Sequence, residues 1–254
     1  MVVALHDPAR AAALFAGWPE AIIWSCLDGI MGTVFADDPS QPASAAAFLG
    51  DFCFFTGAPN QILVRFIAEK AAGFLLLIPR DDAWAACISR TLAQRVRSVT
   101  RYAIRKDTNF DSEKLKTVAA LLPNGCSLQE IDEASFAQCR LQIWSRDLVS
   151  QFRDFQAFQA LGLGVVACQK GDVLAGASTY ARYRHGIEIE VDTRKDVRRR
   201  GLAHACCAKL ILLCMERGLY PSWDAHNPAS VALAEKLGYR LDHPYLAFEL
   251  SESL

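Results

Sequence analysis

The sequence predicts a mixed α/β fold: a twisted, mostly antiparallel sheet flanked by helices, preceded by a smaller N-terminal α/β module. Three observations carry this. Three apolar, partly alternating runs at 163–169, 173–183 and 187–193 are separated only by the tight turns Lys170-Gly171-Asp172 and Arg184-His185-Gly186, which is the pattern of an antiparallel meander. A long apolar helix at 202–217 follows, then a strand, a second helix and a closing strand, so at least one pair of strands is parallel. The first half mixes short apolar runs with helical stretches and turns.

In that first half, 52–56 reads as a strand closed by Gly57-Ala58-Pro59-Asn60, and 75–78 as a short buried strand ended by Pro79. Residues 97–104 (RSVTRYAI) are β-branched and partly alternating, a further strand. Helical patterns occupy 60–70 and 81–92. Between 107 and 127 a polar entry, an amphipathic helix and a Pro-Asn-Gly stop mark a soft boundary. We therefore place an N-terminal module at 1–125 and a second domain at 126–254. No internal repeat is visible in the sequence.

In the second half, the helix at 202–217 is apolar on nearly all sides and stops at Gly218, so neighbours must bury it on more than one face. Residues 219–225 read as one strand. Asn227-Pro228 starts the next helix, with Asn227 as N-cap and proline at the first helical position. That helix ends at Gly238, and 239–250 supplies one or two closing strands.

The 254 residues are 52% apolar and 22% charged, a globular composition. Basic and acidic residues number 27 and 28, for a net charge of −1. No global field directs the chain to nucleic acid or to an anionic membrane, and no apolar run is long enough to span a bilayer. The N-terminus lacks a signal-peptide pattern. Nine cysteines, an odd number with no C-x-x-C spacing, read as reduced core thiols of a cytoplasmic protein, with no metal site.

The chemistry concentrates at 193–203, TRKDVRRRGLA. The first amides of a helix lack intrahelical partners and carry the positive end of its dipole. A glycine at the entrance lets the backbone approach an anion, and Arg194, Arg198, Arg199 and Arg200 add charged donors. This fits a pyrophosphate site, although R-x-x-G-x-A alone also fits a solvated basic helix cap. No G-x-x-x-x-G-K-[ST] or G-x-G-x-x-G is present, which disfavours ATP and dinucleotides. On the preceding strand, Glu188, Glu190 and Asp192 alternate with Ile187, Ile189 and Val191, so the carboxylates share one face. Mutual repulsion raises their pKa values, which suits a base. An ion-pair set with Arg182 and Arg184 is the alternative.

These residues resemble the GNAT superfamily of acyltransferases. Arg198, Gly201 and Ala203 fill that family's [QR]-x-x-G-x-[GA], and Leu233-Ala234-Glu235-Lys236-Leu237-Gly238-Tyr239 is similar to its L-Y-E-K-L-G-F helix end. The resemblance covers about 127–250. The extra N-terminal module and Gly218-Leu219-Tyr220-Pro221-Ser222-Trp223 resemble a bacterial branch that includes a zwittermicin-resistance type acetyltransferase.

The resemblance implies a GNAT-type sheet and acetyl-CoA as cosubstrate. It implies that backbone at Val191 and Thr193 pairs with the pantetheine arm. Arg198, Arg199, Arg200, Gly201, Leu202 and Ala203 would hold the pyrophosphate, and Asn227 would hydrogen-bond the pantetheine. The acceptor would be a small-molecule amine that attacks the thioester directly, with Glu190, then Glu188, as general base. A homodimer is compatible with these features. Ala234 departs from the pattern, standing where the family often has a tyrosine acid. That departure leaves two alternatives: a catalytically weak acyl-CoA-binding or sensing module, and an acyltransferase for longer acyl chains.

Overall fold

A computed structural model describes residues 1–71 and 73–250. The chain forms two compact units. One is Met1–Arg101 with the end of the chain from Pro244 onward, and the other is Tyr102–His243. The sequence reading put its boundary at 125/126 instead. The difference comes from helix α4 (Ser112–Ala120), which packs on the long apolar helix of the second unit, a long-range contact with no local sequence signal.

The first unit begins with β1 (Val3–Ala4), α1 (Ala21–Leu27), β2 (Thr33–Ala36), β3 (Ser44–Leu49) and β4 (Phe52–Gly57). It continues with α2 (Gln61–Lys70), β5 (Leu75–Pro79), α3 (Asp82–Leu92) and most of β6 (Val96–Ile104). β2, β3 and β4 form an antiparallel meander, and β5 joins β4 in parallel. Trp84 of α3 is fully buried against Phe55, and its indole N–H donates to the Gly57 carbonyl at 2.7 Å.

The second unit carries α4, β7 (Cys126–Glu130), α5 (Glu133–Leu141) and α6 (Phe155–Leu161). Next come β8 (Gly164–Gln169), β9 (Asp172–Tyr183), β10 (Gly186–Thr193) and α7 (Leu202–Glu216). It closes with β11 (Tyr220–Ser222), β12 (Asp224–Ala225), α8 (Pro228–Lys236) and the start of β13 (Leu241–Leu250). The sheet order is β11-β10-β9-β8-β7, antiparallel except that β10 and β11 are parallel. This is the mixed, mostly antiparallel sheet that the sequence predicts, extended by β7, whose half-polar CSLQE lacks a clear alternation.

α7 explains its own composition. It packs on β8, β9 and β10 and also on α4, so a helix apolar nearly all round is what two covered faces require. Ile187 and Ile189 lie in the core cluster with Leu202, Cys206 and Leu210 of α7. All nine cysteines are free, and eight are buried. Among the described residues no helix is long and apolar enough to cross a membrane.

The two units repeat one order of elements: a three-stranded antiparallel meander, a helix, a strand parallel to the third, and a helix. In the first it is β2-β3-β4, α2, β5, α3, and in the second β8-β9-β10, α7, β11, α8. No repeat is visible in the sequence, because the two units share an order of elements and not a motif: the R-x-x-G-x-A before α7 has no counterpart before α2.

Candidate functional site

The site begins where two strands part. β10 and β11 pair over Gly186↔Tyr220, Ile187↔Pro221 and Glu188↔Ser222 and no further. After Trp223 the chain changes partner: Asp224 and Ala225 pair antiparallel with Ala103 and Tyr102. The sequence reading took 219–225 as one strand, and this change of partner divides it in two. Trp223, buried at the break, donates its indole N–H to Ser230 Oγ at 3.1 Å. Past Glu188, β10 therefore keeps β9 on one side and leaves β11 on the other. The Val191 amide donates to the Glu190 carboxylate at 3.1 Å. It thus bonds to a side chain rather than to a strand.

The gap opens into a cavity of about 720 Å³. Val191 and Thr193 of β10 line it, as do Arg198, Arg199, Gly201, Leu202 and Ala203 of the loop and the start of α7. Asn227 lies on the far side, where its carboxamide oxygen also caps α8 by accepting from the Ser230 amide at 3.0 Å. Of the residues expected to touch a cofactor, Arg200 alone is outside the cavity lining. His204, Trp223 and Lys236 line it too and were not singled out from sequence. Lys236 stands inside the quoted helix end, and His204 directly follows the loop, so position was the available signal for both.

The start of α7 differs from the other helix starts. α2, α3, α4, α5, α6 and α8 each start on an Asn or Asp side chain that accepts from the first turn. α7 starts on Gly201 at φ 83°, with no side-chain cap. Its leading amides thus have no side-chain acceptor. Arg199 also has positive φ, 62°, which costs a non-glycine residue on the order of 1 kcal/mol. Arg198 Nε donates to the Thr193 carbonyl at 3.1 Å and braces the loop. The Arg194 guanidinium donates to both oxygens of Asp196, at 2.8 and 3.0 Å.

The three carboxylates of β10 have unequal surroundings. Glu188 is buried, opposite Ala181 and Ser222, where β10 is paired on both sides. Glu190 is half-buried and lies opposite Ser178. Asp192 is half-buried, lines the cavity and lies opposite Gly176. Burial first, then the neighbouring Asp147 carboxylate, push the Asp192 pKa up to about 7 against the opposing charge of Arg198. Arg182 lies opposite Ile187 on the neighbouring strand. Ala234 is fully buried, so that position of α8 presents no acid.

A sequence profile described as GNAT acetyltransferase matches residues 12–248. The chain belongs to the GNAT acetyltransferase family. It is 26% identical over 239 residues to an uncharacterized N-acetyltransferase, YdfB, of Bacillus subtilis strain 168, covering 89% of this chain and 88% of that protein. Its fold is similar to the crystal structure of a GCN5-related N-acetyltransferase-like protein from Streptococcus suis 89/1591. The TM-score is 0.91 at 48% identity, over 96% of this chain and 98% of that one. A tandem GNAT protein from the clavulanic acid biosynthesis pathway shares the fold at TM-score 0.58 and 10% identity, covering 100% and 99% of the two chains.

Proposed function

We propose that this family member is an N-acetyltransferase that moves an acetyl group from acetyl-CoA to the amine of a small molecule. One observation carries the reading: the open edge of β10 and the uncapped start of α7 face one cavity. The fit to the cofactor is chemical at each end. The amides of residues 199–203, with Arg198 and Arg199, suit a pyrophosphate. The edge at Val191 and Thr193 suits the amides of a pantetheine arm laid down as an added strand, and Asn227 offers a carboxamide to the same arm.

Acetyl-CoA supplies an activated thioester whose carbonyl carbon the amine attacks. The chain's task is to hold that thioester beside β10 and to take protons from nitrogen. Glu190 is the base we favour, because its carboxylate already sits at the Val191 amide, on the unpaired stretch of strand. Glu188 is second.

The test is to incubate the protein with acetyl-CoA and a panel of small amines, including primary alkylamines, and to follow released thiol. Turnover with at least one amine supports the reading. The buried Ala234 favours a second reading, in which the domain binds acyl-CoA and transfers nothing. Tight acetyl-CoA binding with no thiol released across the panel would select it. Longer acyl-CoA donors in the same assay test chain length.

A further inference from the structure

Asp192 is the one acidic residue of β10 among those that line the cavity. Its cross-strand partner Gly176 has no side chain, and the 3-10 turn Arg146–Leu148 covers that position closely. A Cβ on Gly176 would come within 2.6 Å of Leu148 Cδ1. Ser178, the partner of Glu190, donates its hydroxyl to the Leu148 carbonyl. Glu190 and Asp192 therefore lie on one face of β10, the face under this turn.

The charged and titratable groups around Asp192 are few. Asp147 comes from the turn and is loosely paired with Arg146 at 3.8 Å. Cys139 comes from α5. Arg198 comes from the loop, and Glu190 is two residues back on the same strand.

We propose that Asp192, a residue of the cavity wall, is a second proton acceptor of the transfer reaction, working with Glu190 on the same face of β10. The inference rests on the acetyl-transfer reading. An alkylamine reaches the site as an ammonium ion and ends as an amide N–H, so nitrogen must lose two protons. Asp192 takes the first and leaves the nitrogen lone pair free. The C–N bond forms, the C–S bond breaks, and the sulfur leaves with the bonding pair. Glu190 takes the second proton, and solvent protonates the thiolate. A first acceptor that titrates near neutral pH is matched to that task, and Asp192 does so through its burial and Asp147.

The experiment follows kcat/KM against pH with a primary alkylamine whose own ammonium titrates near about 10. It compares the wild type, Asp192→Asn and Asp147→Asn. In parallel, 13C-carboxyl NMR follows Asp192 in the free protein without acetyl-CoA. We expect a rate limb with midpoint about 7 that coincides with the NMR titration. Asp192→Asn should abolish the limb and lower the neutral rate by about 10-fold or more. Asp147→Asn should move both midpoints to lower pH together.

A limb that survives Asp192→Asn overturns the proposal. So does an NMR midpoint that moves while the limb stays. If Asp192→Asn fails to fold, the paired shifts in the wild type and Asp147→Asn decide alone. Turnover with rate and titration unlinked sinks this proposal only, whereas no turnover with any amine sinks the acetyl-transfer reading and this one with it.

Discussion

Glu190 and Asp192 stand one pleat apart on the same strand and invite different measurements. Glu190→Gln keeps the shape and removes the proton-accepting oxygen. Its kcat/KM at neutral pH should fall by about 100-fold, the lower bound for a positioned base, while acetyl-CoA affinity by calorimetry stays nearly constant. An unchanged rate would remove Glu190 from the chemistry. Asp192 can also be read through stability. Its pKa in the fold is about 7 against an ordinary 3.8, so the folded state favours the protonated acid and is penalised once it ionises. The penalty is absent near pH 4, grows through the window between 4 and 7, and is complete above it. Asp192→Asn should therefore melt a few degrees above the wild type at alkaline pH, at roughly 2–4 °C per kcal/mol for a domain this size, and no higher near pH 4. Equal melting curves across that range would contradict the burial argument. The alternation of Glu188, Glu190 and Asp192 was legible in the sequence. What set the three apart was not, because it depends on β11, Gly176 and the turn at Asp147, all distant along the chain.

At the scale of elements, legibility followed local chemistry. Asn60, Asp81 and Asn227 cap helices where the sequence suggested helix starts, since a cap is settled within three residues. The meander turns at Gly171 and Gly186 were legible for the same reason. The division of 220–225 between two partners was hidden: YPSWDA is a continuous apolar-rich run, and only long-range pairing decides where it changes side. Gly176 shows the same limit. A glycine within a strand reads locally as a weak point, whereas β9 runs unbroken through it, and its lack of a Cβ lets Leu148 approach. Gly176→Val should press on the buried Leu148 side chain and disturb the Arg146–Leu148 turn. We expect about 1–3 kcal/mol of destabilisation in urea titrations, the usual cost of overpacking. The rate should drop as the turn over Asp192 is displaced. A variant of wild-type stability would mean that Leu148 yields freely.

At the scale of the molecule, the repeated order of elements raises the question of whether both units offer the acetyl-CoA site proposed for one of them. The parallel pair β4–β5 corresponds to β10–β11, and α2 to α7. The connections differ. Between β4 and α2 stand only Ala58, Pro59 and Asn60, with no arginine, and the Asn60 side chain accepts from the Ile62 and Leu63 amides at the start of α2. Those donors are consumed, where those of α7 are left without a side-chain acceptor. The end of β4 is closed as well, because the Gly57 carbonyl is bonded by the buried Trp84 indole. Sequence comparison within the chain could not have shown this, since the basic, glycine-containing loop before α7 has no counterpart before α2. One cofactor per chain is the expected outcome. Calorimetric titration should saturate at one equivalent, and acetyl-CoA at about 100 times its Kd should stabilise the protein by about 2.7 kcal/mol, the value for a single site. Trp84→Ala should cost about 3–5 kcal/mol through the lost core volume without raising the stoichiometry, because opening the end of β4 supplies no free amides at α2. Two equivalents bound by the wild type would show that the capped helix start of the first unit still holds a phosphate, and would remove the capping argument on which the assignment of the α7 loop also depends.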